Sequence, residues 1–250
     1  MIPAARELAT HLAPASLDEL NRSADLLTRV DRKYVLGSDL LCVLLSDHRD
    51  LLAVLDIEGR RSFEYSSLYF DTPDYGLHRA AATDRRHRVK VRTRVYEDAE
   101  VAMVELKTKD GRGHTVKHRL LHDIARAGEL GETGSAFVDQ TMGIPGFASS
   151  LAPSLSTRYL RTTLVDLDAG MRATVDTDLV CEHVDGRFVI FDKVIVETKS
   201  GVSPSKLDRW LWQHGMRPER ISKYCTALAL FEPHLPSNKW RRTIARHFTP

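Results

Sequence analysis

Apolar residues recur along this chain in two rhythms. In some early segments they come three and four apart, as on one face of a helix; in many later ones they come every second residue, as on one face of a strand. Residues 16–27 (SLDELNRSADLL) predict a short amphipathic helix, with Ser16 as N-cap and Glu19 three residues on in a capping-box pattern. Residues 28–36 (TRVDRKYVL) alternate as a strand does. Ser38 is expected to cap a second helix reaching about Val54, apolar at Leu40, Leu41, Leu44, Leu45, Leu51 and Leu52. Residues 61–70 read as a strand that Asp71-Thr72-Pro73-Asp74 breaks, before a brief helix over 74–82. Strands are then predicted at 86–96, 101–108, 114–121, 157–166, 171–178, 187–191 and 193–199. Asp110-Gly111-Arg112-Gly113 and Asp185-Gly186 suit hairpin turns, and Gly170 can adopt a positive φ. Residues 122–155 predict a helix and a loop. Ser203-Pro204 opens a helix through Gln213, with Pro at its first position, and a last helix begins near Ser222. No repeat or low-complexity segment divides residues 1–250, so a single domain is expected.

The polar half of the strand pattern is unusual. Side chains alternate along a strand, so Lys90, Arg92, Arg94 and Tyr96 share one face and Val89, Val91, Thr93 and Val95 the other. The pattern repeats. Glu105, Lys107 and Lys109 fall together, as do Lys117 and Arg119, Arg172 and Asp176, Glu197 and Lys199, and Asp31 and Lys33. Two arrangements satisfy it: a sheet bathed in water, or a closed barrel with a charged lumen under covering helices. A cationic lumen is costly in repulsion and desolvation unless an anion fills it, and a chain of phosphates matches the forked donors of Arg and the point charges of Lys. The carboxylates Glu105, Glu197 and Asp176 would repel phosphate unless a divalent cation bridged them, and oxygen ligands point to Mg²⁺ or Mn²⁺.

Composition narrows the classes. The 250 residues carry 36 Lys and Arg against 34 Asp and Glu, a net charge of +2, which argues against a duplex nucleic-acid binder. Cys42, Cys181 and Cys225 show no CxxC spacing, so neither a zinc site nor a redox pair is expected. The longest apolar run, Leu40 to Leu45, is too short to span a bilayer, and the first residues lack a basic-then-apolar signal layout. A cytoplasmic protein without an integral membrane segment is the expectation. The tail, Lys239-Trp240-Arg241-Arg242 with Arg246, reads either as a solvated terminal helix or as a contact for a membrane surface or nucleic acid.

The motifs themselves have a recognisable order. Arg32-Lys33-Tyr34, Ser67-Leu68-Tyr69-Phe70-Asp71-Thr72, Lys90-Val91-Arg92-Thr93-Arg94-Val95-Tyr96, Glu105-Leu106-Lys107 and Lys117-His118-Arg119 come first. Tyr159-Leu160-Arg161, Arg172-Ala173-Thr174-Val175-Asp176, Glu197-Thr198-Lys199 and Ser222-Lys223-Tyr224 follow. From about residue 28 to 231 this series resembles the VTC domain, the polyphosphate polymerase domain of the triphosphate tunnel metalloenzymes. The resemblance implies an α+β fold, a closed antiparallel barrel of about eight strands with surrounding helices. It also implies an ATP-dependent enzyme that passes the γ-phosphate to a growing inorganic polyphosphate and releases ADP. Lys33, Arg92, Arg94, Lys107, Lys117, Arg119, Arg161 and Arg172 match the family's basic phosphate-binding positions, Glu197 its metal-binding glutamate, and Lys223 the lysine of its Ser-Lys-Tyr element. Lys90 and Lys199 extend the substrate-binding set. Glu105 is either a second ligand for Mn²⁺ or Mg²⁺ or a carboxylate that orients an Arg. Arg29-Val30-Asp31-Arg32-Lys33 stands where the CYTH branch has Glu-x-Glu-x-Lys, which weakens a two-metal triphosphatase reading. The SPX domain and membrane segment of the eukaryotic complex have no counterpart in this sequence. A triphosphatase and a non-catalytic polyphosphate-binding module are the alternatives.

Overall fold

The computed structural model describes residues 7–23, 30–109 and 115–248. In chain order the elements are β1 (Ala13–Ala15), α1 (Leu17–Ser23), β2 (Val30–Leu36), α2 (Ser38–Asp47), β3 (Ala53–Leu55) and β4 (Phe63–Asp71). Next come α3 (Gly76–Ala82), β5 (Arg88–Tyr96), β6 (Val101–Lys109), β7 (Thr115–His122) and α4 (Gly131–Met142). Then follow β8 (Ala152–Asp166), β9 (Met171–His183), β10 (Phe188–Phe191) and β11 (Val194–Ser200). Three helices complete the chain: α5 (Lys206–Gln213), α6 (Lys223–Phe231) and α7 (Arg241–His247). The class is mixed α+β, as expected. Among the described residues no helix is long and apolar enough to cross a membrane.

The chain forms two compact units. One takes in residues 1–63, 159–179 and 191–220, the other 64–158, 180–190 and 221–250, so that β8 and β9 contribute to both. Hydrogen-bonded neighbours run β2-β11-β9-β8 in the first and β8-β4-β5-β6-β7 in the second. This path ends at β2 and β7, which do not pair with each other among the described residues, so the ladder lacks the closure expected of it. Alternation dictates which side chains share a face; it does not dictate whether a last strand meets a first.

In the first unit Tyr34, Leu36, Val175, Val194 and Val196 turn one face of β2, β9 and β11 toward Leu41, Leu44, Leu207 and Leu211. Each such fully buried side chain contributes about 1.5–3 kcal/mol. In the second unit Val89, Val91, Val104 and Leu106 meet Leu130 and Val138. A Cβ at Gly134 would lie 3.0 Å from the Val104 side chain, so the glycine sets how closely α4 approaches β6.

Several helix ends depart from the sequence reading. The capping box of α1 is present, with Ser16 Oγ accepting from the Glu19 amide and Glu19 accepting from the Ser16 amide. Ser38, however, is the first helical residue of α2, and Gly37 occupies the N-cap without a side-chain bond. That helix stops at Asp47 rather than near Val54. His48 closes it on the Leu44 carbonyl, and Val54 joins a sheet through Leu164, tertiary pairing overriding local periodicity. Ser205 caps α5 in a full capping box with Asp208, which leaves Pro204 outside the helix. Ser222 caps α6 as expected. Arg29, His114 and the Asp110–Gly113 turn lie outside the described residues.

Asp208 does more than cap. It is wholly buried, and its carboxylate accepts from Tyr34 Oη at 2.8 Å, Thr198 Oγ1 at 2.6 Å, and both Ser205 N and Oγ at 2.8 Å. Burial alone would raise its pKa; the bonds from Thr198 and Ser205 outweigh that and lower it. Asp208→Ala is therefore expected to cost about 3–5 kcal/mol in urea unfolding, because several donors lose a buried charged partner. A folded-state pKa below the unfolded one makes this contribution complete above the ordinary carboxylate range and lost as pH falls through the folded value. Wild type and variant should accordingly converge in acid. A loss within about 0.5 kcal/mol, as for an ordinary surface change, would remove Asp208 from this role.

Candidate functional site

The second unit holds a cationic face on β5, β6 and β7. Their antiparallel register sets side chains in rows: Arg92 opposite Glu105 opposite Arg119, then Lys90 opposite Lys107 opposite Lys117, then Arg88 opposite Lys109 opposite Thr115. Among the described residues of these strands Glu105 is the only carboxylate on that face. It is 2% exposed. Arg92 donates to its Oε2 from Nε at 2.9 Å and from Nη2 at 2.6 Å, and Lys117 makes a close contact with Oε1. Arg119 lies 3.5 Å from Oε1 and Arg94 3.9 Å from Oε2. Tyr96 Oη adds a bond to Oε1 at 3.3 Å. Burial would raise the Glu105 carboxyl, but Arg92, Arg94 and Lys117 hold it well below the usual carboxylate range.

A frame holds these cations in place. Arg92 Nη1 donates to Tyr69 Oη at 2.8 Å, and the Tyr69 ring stacks on Tyr224 with centroids 4.7 Å apart. Arg94 Nε donates to Ser67 Oγ at 3.1 Å. Lys90 Nζ donates to Ser222 Oγ at 2.7 Å, which places it beside Lys223 at the start of α6. Three lysines directly abreast destabilise a bare sheet, since like charges at cross-strand distance repel. Burial brings Lys117 down to about 7; Glu105 opposes that shift, while Arg92 and Arg119 add to it.

The first unit carries a smaller, more balanced face. Lys33 lies opposite Glu197, which lies opposite Thr174; Asp31 lies opposite Lys199, which lies opposite Arg172. Arg161 holds Asp176 with two bonds, Nε at 2.6 Å and Nη2 at 2.8 Å. Lys199 Nζ is 3.8 Å from Glu197 Oε1. Burial lowers the Lys199 pKa to about 8, against the pull of Glu197.

The two metal candidates differ in fit. Both oxygens of Glu105 are engaged by cations, so a metal ion would have to displace them. Glu197 shares a face with Thr174, whose buried Oγ1 has no hydrogen-bond partner among the described residues. A carboxylate beside an orphaned hydroxyl is an oxygen donor set of the kind Mg²⁺ or Mn²⁺ takes alongside phosphate oxygens. His183, Asp185 and Glu232 also approach one another closely enough to hold a metal ion. There, however, Arg187 bridges the two carboxylates at 2.6 and 2.7 Å and already offsets part of their charge.

Sequence reasoning missed the roles of Tyr69, Ser67, Thr174 and Asp208. Tyr69 and Ser67 sit opposite Arg92 and Arg94 across the β4–β5 pair, whose register is hidden in the sequence by the intervening helix α3. Asp208 had a local signal in the Ser205-x-x-Asp208 spacing. Thr174 had none beyond its alternation with Arg172 and Asp176.

The VTC domain model matches residues 28–232. No curated protein matches the chain. Among solved structures, a Hippeastrum protein assigned as an adenylyl cyclase and described as having a dominant triphosphatase activity is 17% identical, with a TM-score of 0.52. The match covers 83% of this chain and 97% of that one. A Bacillus halodurans protein assigned as an adenylate cyclase is 15% identical with a TM-score of 0.51, over 78% of this chain and 94% of that one. These likenesses show a shared fold.

The depressed lysines predict how anion binding responds to pH. A bound polyanion favours the charged form, so binding should draw protons onto Lys117 and Lys199, and affinity should fall as pH rises from about 6.5 to 9. Cyclic trimetaphosphate, whose own charge is constant over that range, is the suitable probe. Calorimetry in buffers of different ionisation enthalpy should register proton uptake, and Lys117→Arg should flatten the lower part of the profile. A pH-independent affinity in the wild type would contradict the assignment.

Proposed function

The chain belongs to the VTC domain family, and from that premise we propose that it is a metal-dependent polyphosphate polymerase that transfers the γ-phosphate of ATP to a growing inorganic polyphosphate. The observation that carries this reading is the row Lys90, Lys107 and Lys117, three cations abreast beside a single carboxylate already spent on its neighbours. Such a face is unfavourable empty and favourable against linked phosphates. Phosphoryl transfer asks a protein chiefly to position reactants and offset charge.

Each group has a part that follows from its surroundings. Glu105 holds Arg92, Arg94 and Lys117 at fixed distances without cancelling the whole face. Arg92 is fixed from two sides, by Glu105 and by Tyr69, so its planar fork presents a set orientation to phosphate oxygens. Lys107, Arg119 and Lys223 add charge around this hub, and Lys90 links it to the Ser-Lys-Tyr element. In the first unit Lys33, Arg161, Arg172 and Lys199 bind phosphate around Glu197. Glu197, with Thr174, would hold Mn²⁺ or Mg²⁺, and such an ion withdraws charge from phosphate oxygens. The partners on this reading are ATP and inorganic polyphosphate, without duplex nucleic acid, in the cytoplasm.

Triphosphate hydrolysis is the second reading, favoured by the activity described for the Hippeastrum protein of like fold. Incubation with ATP and either metal, followed by resolution of ADP, orthophosphate and long polymer, separates the two. Polymer supports the polymerase, orthophosphate alone the triphosphatase, and neither product refutes both. Glu197→Gln keeps the side-chain size and removes the charge. It is expected to lower metal-dependent turnover about 10²-fold or more while leaving polyphosphate binding intact or tighter. Lys117→Ala should instead weaken binding itself. Full turnover in Glu197→Gln protein would remove Glu197 from the metal role.

A further inference from the structure

The rows of the second unit lead somewhere. From Arg92, Glu105 and Arg119 they step to Lys90, Lys107 and Lys117, then to Arg88 and Lys109, each step about 7 Å along the strands. Past Arg88 the chain reads Asp84-Arg85-Arg86-His87, all exposed. Asp84 is the only carboxylate in residues 79–90 and 239–247. It is already taken: Arg88 Nη2 lies 3.1 Å away, and Lys239 Nζ contacts the same oxygen. Lys239 also donates to the Ala81 carbonyl at 3.3 Å. Trp240, buried, sits 5.4 Å from the His78 ring. These contacts hold the start of α7 against the 84–88 loop and leave Arg241 and Arg242 exposed beside it.

The cationic rows thus continue, without an intervening unpaired carboxylate, onto an exposed surface carrying Arg85, Arg241 and Arg242, with the half-buried Lys239 pinned to Asp84. We infer that this surface is a second polyphosphate subsite, which holds the part of a long inorganic polyphosphate lying beyond the lysine row. The inference rests on the polyphosphate reading of the face itself. Two observations commit it to this occupant: the surface is continuous with the rows, and a linked polyanion can lie along both at once. A compact triphosphate, bound at the lysine row, should not reach it.

The test uses the full chain with Arg85, Arg241 and Arg242 all replaced by Ser, three exposed positions whose loss should leave the melting temperature unchanged. Affinity for long-chain polyphosphate is expected to fall about tenfold or more, with the slope of log affinity against log salt reduced by about 2. Affinity for tripolyphosphate should be unchanged. Equal weakening of both ligands, or no change for the long chain, would overturn the subsite while leaving the function reading in place. A variant that loses only binding to phosphatidylserine-containing vesicles, with polyphosphate binding intact, would mark a lipid-facing surface and also overturn it. Wild-type protein that binds neither phosphate ligand would sink both the subsite and the function reading.

Discussion

Repulsion among cations held at strand spacing is the constraint to which the second unit answers. Neighbouring strands lie about 4.8 Å apart, too close for bare lysines to sit abreast without cost. Glu105 is the internal answer to part of that repulsion. Its oxygens gather charge from the strands on either side, β5 and β7, and burial makes each of those contacts stronger than it would be in water. One carboxylate cannot balance the four cations around it, and the remainder is a standing preference for an outside anion. The valine and leucine faces behind the strands keep the row from relaxing, since a one-residue slip would put Val91 and Leu106 among the charges.

The first unit solves a related problem with more even chemistry. Arg161 and Asp176 cancel, Lys199 leans on Glu197, and the wholly buried Asp208 ties β2 to β11 from the opposite face through Tyr34 and Thr198. Tyr34 and Thr198 adjoin Lys33 and Glu197 in their strands. Positional order at that charged pair is therefore set by groups that never share its face.

How much of this the residues disclosed depended on range. Period-two alternation is local, so the shared faces of Lys90, Arg92 and Arg94, or of Glu197 and Lys199, were legible, as was the placement of most strands. The capping box at Ser16 and the cap at Ser222 were legible for the same reason. What needed a distant partner was not. Helix α2 ended early because Val54 found a strand across the sheet. Whether Glu105 would meet a metal or an arginine turned on three strands converging, and the ladder's open ends at β2 and β7 lie beyond any local pattern. The family resemblance supplied the order of motifs, but not that Tyr69 would brace Arg92.

The row geometry has a consequence for selectivity. A grid of fixed charges binds single small anions weakly, because each pays its own translational cost. Once one unit of a chain is held, its neighbour is presented at a high effective concentration, and each further contact multiplies rather than adds. On the polyphosphate reading Lys90, Lys107 and Lys117 would therefore discriminate by connectivity: free orthophosphate, however abundant, would compete poorly with the same groups joined by anhydride bonds.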